Sequence, residues 1–214
     1  MTKKERYSAF VDYFKEAFPD PQTELNYSNP FELVVAVVLS AQCTDVRINK
    51  VTPELFRQFP TAEHMAVASF DVVFELIRSV SYPNNKSKHL IGLAKMIMED
   101  FGGEVPAKHE DLQNLPGVGR KTANVVVSVL YNQPAMAVDT HVFRVSKRLG
   151  LVTQTAKTPL EVEKQLVKGI PEEYIHKAHH WLILHGRYVC LARKPKCDEC
   201  KITHFCKYWE KLGS

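Results

Sequence analysis

Four cysteines stand near the C-terminal end at the spacing Cys190-x6-Cys197-x2-Cys200-x5-Cys206, all within 17 residues. A segment that draws four sulfurs together has few other conformations open to it. The spacing therefore constrains this chain more than any periodicity does. The sequence opens Met1-Thr2-Lys3-Lys4-Glu5-Arg6 with no apolar signal core. Its longest apolar run, Leu33 to Leu39, falls well short of the roughly 18 residues of a membrane span. The expectation is a cytoplasmic protein with no membrane contact, where clustered thiols serve as metal ligands more readily than as disulfides. A zinc ribbon has two C-x-x-C knuckles and only one is present, whereas four thiolates also suit an iron–sulfur centre. The residues alone leave zinc and iron–sulfur open.

The same stretch is basic. Residues 187–207 carry Arg187, Arg193, Lys194, Lys196, Lys201 and Lys207 against Asp198 and Glu199, which leaves 22 basic and 22 acidic residues elsewhere. The whole net charge of +4 thus sits in one segment, a pattern that fits a local anionic partner. Arg193, Lys194 and Lys196 fall between the first two cysteines. A metal pinning both ends of that loop would hold them out as a rigid phosphate-binding projection.

The remainder of the 214 residues reads mostly as helix. With 45% hydrophobic and 24% charged residues, wholesale disorder is excluded and a sizeable core is available. Residues 3–17 put Tyr7, Phe10, Val11 and Phe14 on one face. Residues 44–59 follow a Thr44 cap and carry Val46, Val51, Leu55, Phe56 and Phe59. Residues 85–100 repeat the pattern with Leu90, Leu93, Ala94, Ile97 and Met98. Residues 139–149 run from an Asp139 cap to a Gly150 stop. The runs Leu33–Leu39 and Val125–Leu130 are rich in β-branched residues, and pattern alone cannot separate a buried strand from a helix buried all round.

The stretch Leu115-Pro116-Gly117-Val118-Gly119-Arg120-Lys121-Thr122-Ala123 precedes a helix-length apolar run. Gly117 and Gly119 permit a turn closed to other residues and let a ligand approach the main chain. A helix starting near Gly119 would present free N–H groups and a positive dipole end, a cradle for phosphate with Arg120 beside it. The competing reading is a glycine turn joining two packed helices. With Leu112 and Leu115 before it, the pattern looks like a helix-hairpin-helix at about 108–128, a module that grips nucleic-acid backbone without reading sequence.

Lys121 lies where the helix dipole disfavours a cation, which favours the uncharged, nucleophilic amine. Its plainer role is a solvated lysine touching phosphate. Asp139 reads equally as a helix cap and as a carboxylate that activates an amine; if near Lys121, it would oppose the dipole.

Together these features resemble the endonuclease III family of DNA glycosylases nearly end to end. The resemblance rests on Thr23-Glu24-Leu25-Asn26, Leu39-Ser40-Ala41-Gln42, the glycine hairpin, Ala137-Val138-Asp139-Thr140-His141 and the cysteine spacing. It implies an all-α protein of two helical domains flanking a DNA-binding cleft. Residues 22–134 would form a six-helix domain carrying the hairpin. Residues 1–21 and 135–214 would form the other, with a [4Fe–4S] cluster held in the 190–206 loop by Cys190, Cys197, Cys200 and Cys206. The implied function is base-excision repair of oxidised pyrimidines, with strand cleavage at the abasic site. Lys121 matches the family's nucleophile and Asp139 its catalytic carboxylate. Gln42 matches a position near the gap left by an extruded base, and Asp45 and His141 match positions near the pocket. Gly117, Gly119, Arg120, Arg193, Lys194 and Lys196 would contact double-stranded DNA containing damaged bases or abasic sites, bound by a monomer. A monofunctional DNA glycosylase and a non-catalytic iron–sulfur DNA-binding protein are the alternatives.

One departure from the family stands out. Where the family usually has Gly-Leu-Tyr, this chain has Ser81-Tyr82-Pro83; either Tyr82 replaces the leucine wedge or the change is a tolerated loop substitution. His176, His179, His180 and His185 read as an ordinary packed or solvated helix face, and Cys43 as a small buried hydrophobe.

Overall fold

The computed structural model describes residues 1–213, and among them every regular element is helical. Contacts divide the chain into two units: residues 24–131, and residues 1–23 joined by the chain from residue 132 onward. Among the described residues no helix is long and apolar enough to cross a membrane.

The chain begins with α1 (Lys3–Ala17), whose Thr2 and Glu5 form a reciprocal capping box. The contiguous unit then holds α2 (Pro30–Ser40), α3 (Asp45–Gln58), α4 (Ala62–Ala66), α5 (Phe70–Ile77), α6 (Pro83–Phe101), α7 (His109–Asn114) and α8 (Arg120–Tyr131). The apolar run at 33–39 is helical because Asn29 caps the Glu32 N–H, Pro30 opens the first turn, and neighbours cover every side. Each residue from Phe31 to Leu39 is buried. The run at 125–130 is likewise inside α8. Thr44 caps α3 as its sequence suggests, but the buried stripe is Ile48, Thr52 and Leu55, and Val46 is exposed. A contributing reason is position: in the first turn Val46 lies beside a solvated loop, with Ala41, Gln42 and Thr44 all exposed.

The second unit contains α1, α9 (Thr140–Leu149), α10 (Pro159–Gly169), α11 (Glu172–Tyr188) and α12 (Lys207–Leu212), with two short 3-10 turns at Cys197–Glu199 and Thr203–Phe205. Phe10 and Phe14 of α1 pack their rings on Trp181 of α11, at centroid distances of 5.9 and 5.8 Å. The Trp181 indole N–H donates to the Phe18 carbonyl at 2.7 Å. Arg6, almost fully buried, pairs with Glu210 at 2.7 Å and donates to the Phe205 carbonyl. Helix α11 lies close on α9 because it has Gly186 at the crossing, where a Cβ would come within 2.9 Å of His141 and Val145. The histidines of α11 are mainly packed: His179 and His180 are buried.

Candidate nucleic-acid interface and cluster loop

The hairpin joins α7 to α8 through Leu115–Gly119. The Val118 N–H donates to the Leu115 carbonyl at 3.0 Å, and Val118 itself is buried, so the turn is anchored from beneath. Gly117 has φ +81, and a Cβ there would meet the His89 side chain of α6 at 2.9 Å; both conformation and space demand glycine. Gly119 has open space around it. Gly117, Gly119, Arg120 and Lys121 are all exposed, with Lys121 the second residue of α8. The first N–H groups of a 12-residue helix therefore end at an open, cationic surface, a geometry suited to phosphate.

Two further sites of the same unit come together. Gln42 and Tyr82 both have left-handed backbones, φ 56 and φ 55, which costs non-glycine residues about 1 kcal/mol or more each. The Ser81 hydroxyl donates to the Ala41 and Gln42 carbonyls at 3.1 and 3.0 Å. Beneath lies Lys86, whose ammonium donates to the Leu39 carbonyl at 2.8 Å, the Ala41 carbonyl at 2.7 Å and the Ser81 hydroxyl at 3.1 Å. All three of its donors are used, and it supplies positive charge to the C-terminal end of α2. Burial holds its ammonium below the ordinary lysine range. Sequence reading missed Lys86. The signal was present: it shares the buried stripe of Leu90, Leu93, Ala94 and Ile97 at helical spacing. Asp45 opens α3 half-buried, and Cys43 is half-buried and not buried, since the turn after α2 leaves its neighbours Gln42 and Thr44 in solvent.

In the other unit Asp139 caps α9, accepting from the Val142 N–H at 2.8 Å. The plain structural role is thus present, in a carboxylate that is half-buried. His141 follows in the first turn, and its Nδ1 lies 3.2 Å from Nη2 of Arg144. One face of α9 then holds the cysteine loop. Arg144 donates to the carbonyls of Gly186 at 2.8 Å and Cys190 at 3.2 Å. Arg148 donates to the Leu191 carbonyl at 2.6 Å, the Ala192 carbonyl at 2.9 Å and the Cys190 sulfur at 3.4 Å. Neither arginine could be assigned from sequence, because the partners lie more than forty residues away. Lys121 and Asp139 belong to different units.

The four cysteines are unpaired by disulfides and half-buried. Burial, and then neighbouring cysteines, push the Cys197 and Cys200 thiols above their ordinary value. Burial does the same for Cys206, with Cys190 adding to it. Backbone N–H groups of Ile202 on Cys200, and of Tyr208 and Trp209 on Cys206, favour the thiolate. Four thiolates this close repel one another unless a cationic centre neutralises them, and N–H bonds to sulfur are characteristic of iron–sulfur sites. Among the described residues no three His, Cys, Asp or Glu side chains converge on a single metal ion. A four-iron cluster does not ask for that, because each thiolate binds its own iron. The donor set fits a [4Fe–4S] cluster. Between the first two cysteines, Arg193, Lys194 and Lys196 are all exposed, and Lys194 is left-handed at φ 50.

Comparison with known proteins places this arrangement in a class. Residues 35–172 match the HhH-GPD superfamily of base excision DNA repair proteins, and residues 190–206 match the iron–sulfur binding domain of endonuclease III. Endonuclease III of Bacillus subtilis (strain 168) is 49% identical over 201 residues, 94% of this chain and 91% of the relative. That of Escherichia coli (strain K12) is 46% identical over 214 residues, 99% of each. A structure of a trapped covalent intermediate of endonuclease III with DNA superposes with a TM-score of 0.91 at 45% identity, covering 100% of both chains. A thermostable thymine-DNA glycosylase, 21% identical, shares the fold at a TM-score of 0.86 over 97% of this chain and 98% of its own. The chain belongs to the endonuclease III family. It is accordingly a base-excision repair enzyme, a DNA glycosylase with abasic-site lyase activity, and it carries a [4Fe–4S] cluster.

Proposed function

We propose that this enzyme removes oxidised pyrimidines from double-stranded DNA with Lys121 as nucleophile and Asp139 as its carboxylate, and then nicks the strand at the abasic site. The observation that carries the assignment is the placement of Lys121: an exposed amine on the first turn of α8, directly after a glycine turn shaped for phosphate. It is supported by the trapping of a relative in covalent union with DNA. We further take residues 22–134 as the hairpin domain and the remainder as the cluster domain.

A base stacked in a duplex shields its sugar carbon, so the damaged nucleotide must leave the stack; this costs a few kcal/mol, least for a weakened pair. Gly117, Gly119 and Arg120 hold the backbone phosphates, Gln42 and Tyr82 enter the space vacated, and Asp45 and His141 lie close to the extruded nucleotide. The uncharged Lys121 amine attacks C1′; the base departs with the bonding pair and takes a proton, and the attached amine passes one of its own to the ring oxygen. The sugar ring then opens to an iminium, with Asp139 offsetting its positive charge. The iminium acidifies C2′, whose proton loss expels the 3′ phosphate, and water releases the lysine. Cys190, Cys197, Cys200 and Cys206 would hold the cluster, and that attachment would brace the loop that carries Arg193, Lys194 and Lys196 to the phosphates. The protein acts as a monomer in the cytoplasm, on the nucleoid.

Borohydride reduction on duplex DNA with one abasic site tests this. Wild type should give a covalent adduct and Lys121→Ala none. Base release without nicking would indicate a monofunctional glycosylase, and an equal adduct with Lys121→Ala would remove Lys121 from the mechanism.

A further inference from the structure

We propose that Ser81 and Lys86 form a clamp that makes Gln42 and Tyr82 a single rigid probe, so that both residues enter DNA together. The inference rests on the reading of Gln42 and Tyr82 as the side chains that fill the duplex. It adds what sets their relative position.

The geometry is a closed network. Lys86 spends its three donors on two carbonyls at the end of α2 and on the Ser81 hydroxyl. Ser81 shares its single hydroxyl hydrogen between the Ala41 and Gln42 carbonyls. Tyr82 is fixed from both sides: Ser81 precedes it, and its carbonyl accepts the Lys86 backbone N–H at 3.1 Å. Pro83, with its φ restricted by the ring, follows at the first position of α6. The two residues thus held are both left-handed and both exposed, Tyr82 by 61%. Free peptides of this sequence would leave that conformation, and a network with no spare donor on Lys86 opposes the relaxation. The bond from one turn to the other exists because serine stands at 81; glycine at this place would offer no hydroxyl. Gln42 and Tyr82 are the probe, and Ser81 and Lys86 are positioning residues.

The test uses duplex DNA carrying one oxidised pyrimidine opposite 2-aminopurine, whose fluorescence rises when its partner is unstacked. It reads both the fluorescence change and the single-turnover excision rate. Ser81 is partly solvated, so Ser81→Ala and Ser81→Gly remove the bond with little threat to folding. Both should lose about fivefold in excision, the value of one hydrogen bond, along with most of the fluorescence rise. Ser81→Thr, which keeps the hydroxyl, should restore both. In a Gln42→Ala background, Ser81→Ala should cost less than about twofold further, because Tyr82 then has no second member to be held in register with. Wild-type behaviour of both serine variants, or losses that multiply in full with Gln42→Ala, would overturn the clamp while leaving the probe assignment intact. If Gln42→Ala and Tyr82→Ala themselves keep wild-type fluorescence and rate, the probe assignment fails and takes the clamp with it.

Discussion

Arg144 reaches from α9 to the Cys190 carbonyl at 3.2 Å, so the helix that Asp139 caps also holds the first cysteine of the cluster loop. Carboxylate and loop are attached to one ten-residue helix. This double duty shapes how substitutions at Asp139 should behave.

Asp139→Asn keeps an oxygen for the Val142 N–H and removes the charge. Asparagine is a strong N-cap, so stability should stay within about 0.5 kcal/mol of wild type while excision falls at least about a hundredfold. Asp139→Ala should lose the same activity and about 1 kcal/mol of stability besides. Urea melts beside single-turnover excision separate the two contributions. An active Asp139→Asn protein would leave Asp139 as a cap alone.

Replacing Arg193, Lys194 and Lys196 together by alanine should weaken DNA binding without changing which lesions are excised. All three side chains are exposed, so each is free to displace one counterion. The slope of log affinity against log salt should shrink by about 2–3. Chemistry at saturating enzyme should be little altered. An unchanged slope would show that the loop does not touch DNA.

His180 makes stability sensitive to mild acid. Burial, then the nearby His176, lowers it to about 4 in the folded protein from an ordinary value near 6.5. Between those values the unfolded chain binds the additional proton, so the stability tied to the neutral ring is complete above about pH 6.5 and is lost as pH falls toward 4. The loss should be on the order of 2 kcal/mol near pH 4.5. In His180→Phe the decline of stability from pH 7 to about 4.5 should be shallower by that amount, whatever the variant's stability at pH 7. Parallel declines would count against it.

The motifs were legible because they are local. A glycine turn, a cap followed by helix and a cysteine spacing each carry their meaning within a dozen residues, and the hairpin, the Asp139 cap and the cluster loop all follow from them. What the chain concealed was set at long range. The run from Leu33 to Leu39 has no polar face because neighbours surround it, and period is uninformative for an element without an outside. Val46 looked like core by spacing, although the loop before it is solvated. Arg144 and Arg148 carry no local signal of their role, because the loop at 190–192 comes back to them only in the fold. Lys86 was the exception: a lysine on an apolar stripe was visible in the sequence and asked for acceptors.

The union of α1 with the chain beyond residue 132 also orders events during synthesis. Residues 24–131 can make their contacts as soon as they emerge, because the unit is continuous. Arg6 must wait about two hundred residues for Glu210 and the Phe205 carbonyl. On a ribosome adding about 5–20 residues each second, the N-terminal helix passes many seconds with its aromatic face uncovered. The half that carries the hairpin can thus be finished while the half that carries the four cluster cysteines is still being made.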